Sequence, residues 1–213
     1  MAKAAKREQS PGKGMAPSDV GARIGDAILE YVGKVPSSAR RKSKTAEADA
    51  KQAIAAAAAR ASVAAGTLSL PPGPFGWLTM LPELVAVWKI QAQLVADIAA
   101  IHGRKSELTR EAMLYCLFRH TAAQALRDIA VQAGAKLLVK PATIRALQRI
   151  ARAIGLEVGQ RTLGKAFTRW LPVVGAVGVA AYAYYDTVQV GTTTLELFAE
   201  APAKKKVASK QSL

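Results

Sequence analysis

From Ala61 to Pro82 the chain carries no charge, yet Pro71, Pro72, Gly73 and Pro74 interrupt the run near its middle. Proline inside a helix removes a backbone hydrogen bond and clashes with the turn before it, so this cluster forbids one continuous helix. The stretch must instead fold as helix, sharp turn, helix. Such a hairpin has two apolar arms to cover, and the rest of the chain has to supply or replace that cover.

The arms are legible on either side. "TAEADAKQAIAAAAARASVAAG" (45–66) is an Ala-rich helix, capped by Thr45 and stopped by Gly66. After the turn, a helix over 82–101 repeats Leu84, Val87, Trp88, Leu94, Val95, Ile98 and Ile101 at the 3.6-residue period. Lys89, Gln93 and Asp97 fall on another face, and His102-Gly103 ends it. Upstream, Ser18 or Asp19 caps a short helix carrying Ile24 and Ile28, which ends near Gly33. "VPSSARRKSK" (35–44) reads as a linker with a basic cluster.

Downstream, 106–138 shows Leu114, Phe118, Ala122, Ala125 and Ile129 at helical spacing. Pro141 opens a further helix, with Ile144, Leu147, Ala151 and Ile154 inward and Arg145, Arg149 and Arg152 outward. "GLEVGQRTLG" (155–164) reads as a glycine-marked connection. "YDTVQVGTTTLEL" is β-prone, but its neighbours are helical. Aromatic residues are only 6% of the chain, so Ala, Leu and Val carry the 51% apolar content, which favours helices. The expected fold is all-α, a compact helical bundle with two apolar helical hairpins. The expected division is a disordered basic tail over 1–17, a short helix and basic linker over 18–44, the helical domain over 45–200 and a disordered Lys-rich tail over 201–213.

The net charge of +15 is unevenly spread. Residues 1–45 hold +6, residues 201–213 hold +4, and everything between holds +5. Cationic tails attract polyanions of any kind, nucleic acid or anionic headgroups alike. The basic N-terminus is followed by no apolar segment, so no secretory signal is expected. One cysteine, Cys116, excludes an internal disulfide framework.

The second apolar block, "WLPVVGAVGVAAYAYY" (170–185), would span about 24 Å as a helix, short of the ~30 Å bilayer core. Extending it buries Asp186 at about 3 kcal/mol, so a simple spanning helix is disfavoured. An interfacial role suits the residues better. Trp77, Trp88 and Trp170 flank the two blocks, and Tyr182, Tyr184 and Tyr185 close the second. Amphipathic aromatics of this kind favour the headgroup zone. Phe75, Trp77 and Leu78 at the hairpin bend, with Trp170, Leu171, Tyr184 and Tyr185, are the candidate membrane contacts. Arg161, Lys165 and Arg169 form a basic stripe at the entrance to the second block, and Arg145, Arg149 and Arg152 form another. These six are the candidates for an anionic surface. The same apolar blocks would equally serve as the central helices of a soluble bundle.

Sites for chemistry are sparse. His102 and His120, with Cys116, Asp97 or Asp128, would have to converge from separate elements to hold a metal, whereas a His beside Gly at a helix end is a cap. Cys116 and His120 lie at i, i+4, a spacing that can activate a thiol, but Leu114, Leu117 and Phe118 mark Cys116 as a core residue. "GPFGW" lacks the Gly-Lys-Ser/Thr ending of a phosphate loop, and no nucleophile elbow is present. No enzyme activity and no cofactor are expected.

Two segments together resemble the EcsC family. "AAGTLSLPPGPFGWLTMLPELVAVWKIQAQLVADIAAIHG" (64–103) is similar to its signature, a Gly-rich apolar turn, a Leu-Pro start and a long helix closing on His-Gly. "KAFTRWLPVVGAVGVAAYAYYDTVQVGTTTLELF" (165–198) resembles its closing segment, a Pro-Val-Val-Gly-Ala turn followed by a small-residue helix. The likeness spans roughly 46–200. One departure is clear: the family tends to place an acid just before the Leu-Pro, whereas here Thr79-Met80 precede Leu81-Pro82 and Glu83 follows. The resemblance implies a bacterial helical protein associated with membranes, and it transfers no catalytic residue.

The expected function is thus a non-enzymatic, membrane-associated helical protein on the cytoplasmic side. It would be peripheral or monotopic at the inner face, with anionic lipid or a membrane protein complex as partner. The alternative is a soluble helical scaffold, or a nonspecific nucleic-acid binder acting through the basic stripes and tails. Against nucleic acid, the stripes lack interleaved aromatics for base stacking.

Overall fold

The computed structural model describes residues 17–32, 34–68, 76–120, 144–165 and 172–199. All regular structure among them is helical: α1 (Pro17–Val32), α2 (Ala46–Leu68), α3 (Gly76–Ile101), a 3-10 turn (Lys105–Glu107), α4 (Arg110–Phe118), α5 (Ile144–Lys165) and α6 (Pro172–Ala199). The sequence-derived class, all-α, is what the chain adopts.

Three long helices, α2, α3 and α6, pack on one another. Ala50, Ala53, Ile54 and Ala57 of α2 meet Leu94, Ile98 and Ile101 of α3, with Val188 and Leu195 of α6 against them. Farther along α2, Ala61 and Ala65 meet Val87 of α3 and Ala183 of α6. These pairings make α2 antiparallel to both partners, and α3 parallel to α6. Alanine lets the axes approach closely, and two glycines extend the effect. A Cβ on Gly191 would lie 2.5 Å from Ile54 Cγ1, and one on Gly66 would lie 3.3 Å from the Cβ of Ala180. Gly66 was expected to stop α2. It is instead part of the helix, which runs on to Leu68, because a residue without a side chain is what the α6 contact requires.

The remaining helices close the other side. α1 packs along α5, and α4 joins the pair to α3 and α6. Ile24 and Ile28 of α1, Leu147, Ile150 and Ile154 of α5, Met113 to Phe118 of α4 and Trp88 of α3 share one buried cluster. Trp88, one of the tryptophans expected at an interface, is only 6% exposed. It meets Phe118 edge-on at a centroid distance of 5.4 Å. The connection expected at 155–164 is likewise helix: α5 runs unbroken to Lys165. Gly155 is its contact point with α1, since a Cβ there would come within 2.6 Å of Gly25 N and 2.9 Å of Gly25 Cα.

Three helix starts also differ from expectation, the first being α1, which opens at Pro17 and so holds Ser18 and Asp19 within it rather than at its cap. α3 begins six residues before Pro82, which lies inside it with its ring exposed. Proline tolerates this position where only the outer face loses its backbone partner. The long helix expected over 106–138 opens as a 3-10 turn, and α4 starts at Arg110 behind Thr109, whose side chain accepts from Ala112 N at 3.2 Å. α4 gives way to a turn at Arg119 and His120. Ala122, Ala125 and Ile129 lie outside the described residues, as do both tails up to Ala16 and from Glu200.

The end of α3 is closed by a six-residue Schellman motif. Gly103 N donates to Ala100 O at 2.9 Å and Arg104 N to Ala99 O at 2.7 Å, with Gly103 at φ +73°. His102 is the cap that its position suggested: Nδ1 donates to Ile98 O at 2.9 Å. Across this end runs the segment 34–44, which the sequence marks as a linker. It is a fitted strap. Val35 packs on the main core, Ser38 Oγ donates to Asp97 Oδ1 at 2.6 Å, and Gln93 Nε2 donates to Ser37 O at 3.2 Å. Lys105 Nζ donates to Ser38 O at 2.8 Å and Ser43 N to Ile101 O at 2.9 Å.

Candidate functional site

The helix directions bring the two apolar blocks to one end of the bundle. α2 finishes and α3 starts at this end, and α6 starts beside the end of α2, with Ala176 and Ala180 opposite Gly66. In the first half of α6 Val177 is 65% exposed, Tyr185 61%, Tyr182 46% and Tyr184 45%, and Val63 of α2 is 66%. Val177, Ala181, Tyr184 and Tyr185 fall at i, i+4, i+7 and i+8, which is one face of α6. No charge interrupts α6 between Pro172 and Tyr185.

Of the sequence-derived membrane contacts, Tyr184 and Tyr185 are exposed, halfway along α6. Trp77 and Leu78 lie in the first turn of α3, but their side chains are outside the description, and Phe75, Trp170 and Leu171 are outside it altogether. Arg145, Arg149 and Arg152 are exposed along α5, on the side away from its buried Leu147, Ile150 and Ile154. Arg161 and Lys165 lie in the last two turns of α5 and Arg169 beyond the described residues. Val63 and Val177 were not among the sequence-derived contacts. Their signal was the unbroken small-residue pattern around them, which hides a large outward side chain until helix phase is fixed.

A second feature lies deeper. Asp186, 9% exposed, takes hydrogen bonds on both oxygens: His120 Nε2 donates to Oδ1 at 2.6 Å and Gln91 Nε2 to Oδ2 at 2.7 Å. Gln91 Nε2 also donates to Thr187 Oγ1 at 3.2 Å, and that hydroxyl donates to Ala183 O at 2.8 Å. The carboxylate fixes the Gln91 amide, because turning it over would set two acceptors face to face. Among the described residues Gln91 Oε1 and His120 Nδ1 have no hydrogen-bond partner. The junction thus ties α3, the end of α4 and α6 through one carboxylate.

His120 does not serve Cys116. Burial pushes that thiol up to about 12, and its hydrogen-bond partner is Thr194, not the imidazole. Cys116 is fully buried in the main core, as its apolar neighbours implied. Of the residues considered for a metal, His102 is engaged with Ile98, Asp97 with Ser38 and Gln93, and His120 with Asp186, while Asp128 lies outside the described residues. Among the described residues no group of three His, Cys, Asp or Glu could hold a metal ion.

One helical stretch among the described residues, Leu84–Ile101, is long and apolar enough to cross a membrane, and most of it is buried between α2, α4 and α6. No family model, no curated protein and no solved structure matches this chain.

Proposed function

We propose that this is a non-enzymatic helical protein that associates peripherally with the cytoplasmic face of a membrane through the end of the bundle where α2 finishes and α3 and α6 begin, together with the exposed face of the first half of α6. The observation that supports it is the uncharged face of α6, where Val177, Tyr184 and Tyr185 stand exposed; Val63 of α2 is exposed as well. Exposed apolar surface rimmed by polar residues marks interaction sites, and tyrosine suits the headgroup layer. The burial of α3 favours a surface-bound protein over a spanning one. Arg161, Lys165 and Arg169 precede this end in sequence, and each cation near an anionic leaflet adds about 1 kcal/mol. The resemblance to the EcsC family, proposed on the two segments at 64–103 and 165–198, agrees with this reading.

Flotation with vesicles of anionic and of zwitterionic lipid tests it. Binding that survives high salt on zwitterionic vesicles is the expected result, and it should be lost in a Tyr184→Glu, Tyr185→Glu double variant that keeps its thermal unfolding midpoint. A protein that stays unbound to both vesicle types at low salt is instead a soluble helical scaffold.

A further inference from the structure

The end of the bundle opposite the apolar face carries a different surface. Arg40, Arg41, Lys42 and Lys44 all lie exposed on the strap. Its backbone is held to α3 by the Ser38–Asp97, Gln93–Ser37 and Ser43–Ile101 hydrogen bonds. The stem of Lys42 lies over Gly103, and Lys105, also exposed, ties back to Ser38 O. These cations are therefore displayed at fixed positions rather than on a free linker.

The acids nearby are engaged elsewhere. Glu47 pairs with Lys51, Glu107 with Arg104, Asp49 accepts from Thr45, and Asp97 is taken by Ser38 and Gln93. None of the four strap cations is paired with an acid among the described residues. An array of unpaired cations held in place is complementary to a dense row of anions.

Position decides which anions. From Ala46 to Val63 along α2 is roughly 25 Å, about three Debye lengths at physiological salt. A bilayer contacted by Val63, Val177 and the tyrosines would not feel the strap. Among the described residues none of the exposed large apolar side chains lies on or beside the strap, whereas binding at a lipid interface wants apolar area together with charge. Cations without such area suit a polyanion that binds by charge alone, and duplex nucleic acid presents about one negative charge per 1.7 Å of its axis.

We propose that the strap end is a docking surface for the phosphodiester backbone of duplex nucleic acid, bound without sequence preference. The proposal is independent of the membrane reading, and its test contains no lipid in the decisive arm. A labelled duplex is titrated with full-length protein between about 50 and 200 mM salt, and the slope of log K against log salt is read. The strap variant is Arg40→Gln, Arg41→Gln, Lys42→Gln and Lys44→Gln, which keeps the stem over Gly103. The control variant, Arg23→Gln, Arg60→Gln, Lys89→Gln and Arg119→Gln, removes the same charge from scattered exposed sites outside both basic stripes.

The expected strap variant unfolds at the wild-type temperature and has a slope shallower by about 3 to 4, as loss of four phosphate contacts requires. The control should change the slope by less than about 1, and duplexes of unrelated sequence should bind alike. A strap variant within about 1 of the wild-type slope overturns the proposal, as does a control variant that loses as much. So does a strap variant that binds duplex normally but no longer binds anionic vesicles, which would make the partner a bilayer.

Discussion

Asp186 on α6 accepts from His120 at 2.6 Å and, through its other oxygen, from Gln91 at 2.7 Å, so one carboxylate holds the end of α4 and the middle of α3. Removing the imidazole leaves a nearly buried carboxylate with a single amide donor. His120→Ala should therefore destabilise the fold by about 1–3 kcal/mol in a denaturant titration. Replacing Asp186 by Asn in the same background should recover part of that loss, because a neutral amide is cheaper to leave half-satisfied. No recovery would mean that the junction contributes through packing alone.

Two glycines on consecutive helices should respond in opposite directions to the same change. A Cβ on Gly155 meets the backbone of Gly25 within 2.6 Å, and backbone has little room to yield. Gly155→Ala should cost about 2–4 kcal/mol, in the range of overpacked cores. At Gly178, exposed on α6, an added Cβ meets nothing within 4 Å. Gly178→Ala should stabilise by about 0.5–1 kcal/mol, since alanine restricts the unfolded chain and suits a helix. Thermal unfolding of the two variants side by side checks both signs.

Cys116 ties stability to alkaline pH. Its thiol titrates at about 12 in the fold against 9.0 unperturbed, chiefly because burial penalises the thiolate. The folded pKa is the higher one, so the contribution is complete below pH 9 and is lost as pH rises from 9 toward 12. The loss should approach about 1.4 kcal/mol per pH unit within that window and be absent in Cys116→Ala. At neutral pH a thiol reagent should label Cys116 only as fast as the bundle opens.

The strap should behave as part of the fold under protease. Arg40, Arg41, Lys42 and Lys44 are exposed trypsin sites, but Ser38, Ser43 and Gln93 hold the backbone that would have to enter the enzyme. Asp97→Ala frees Ser38 and Gln93 together. Cleavage at the strap should accelerate about 5–10-fold, as loss of roughly 1 kcal/mol of local stability would give. Trp88→Ala, by contrast, should lower global stability by about 3–5 kcal/mol.

Periodicity carried most of the architecture. The apolar stripe from Leu84 to Ile101, the inward Leu147, Ala151 and Ile154, and the outward Arg145, Arg149 and Arg152 all take the faces that a 3.6-residue repeat assigns. Glycine was misread for a consistent reason. Gly66 and Gly155 look like breaks because local propensity counts against them, yet each lies inside a helix where a neighbouring helix comes too close for a side chain. That information belongs to the partner, Ala180 or Gly25, and no window along the chain contains both. The strap was opaque in the same way: "VPSSARRKSK" has linker composition, and only its hydrogen bonds to Gln93, Asp97 and Ile101 make it structure. At the apolar end, the blocks were readable, but their meeting depended on α3 and α6 running parallel. The junction at Asp186 left a faint trace, a lone acid after an uncharged block, with nothing to indicate His120 or Gln91 as its partners.

The contact of α1 with α5 also fixes where one helix sits along the other. Gly21 and Gly25 occupy two successive notches against Gly155 and its neighbours, and the next residue on that line is Leu29. Sliding α1 by one step of the line, about 6 Å, would bring Gly25 to the first notch and drive the leucine into the second. A screw motion of the helix is blocked as a key is blocked by a ward, so α1 has a single seat from which it can leave only by lifting off.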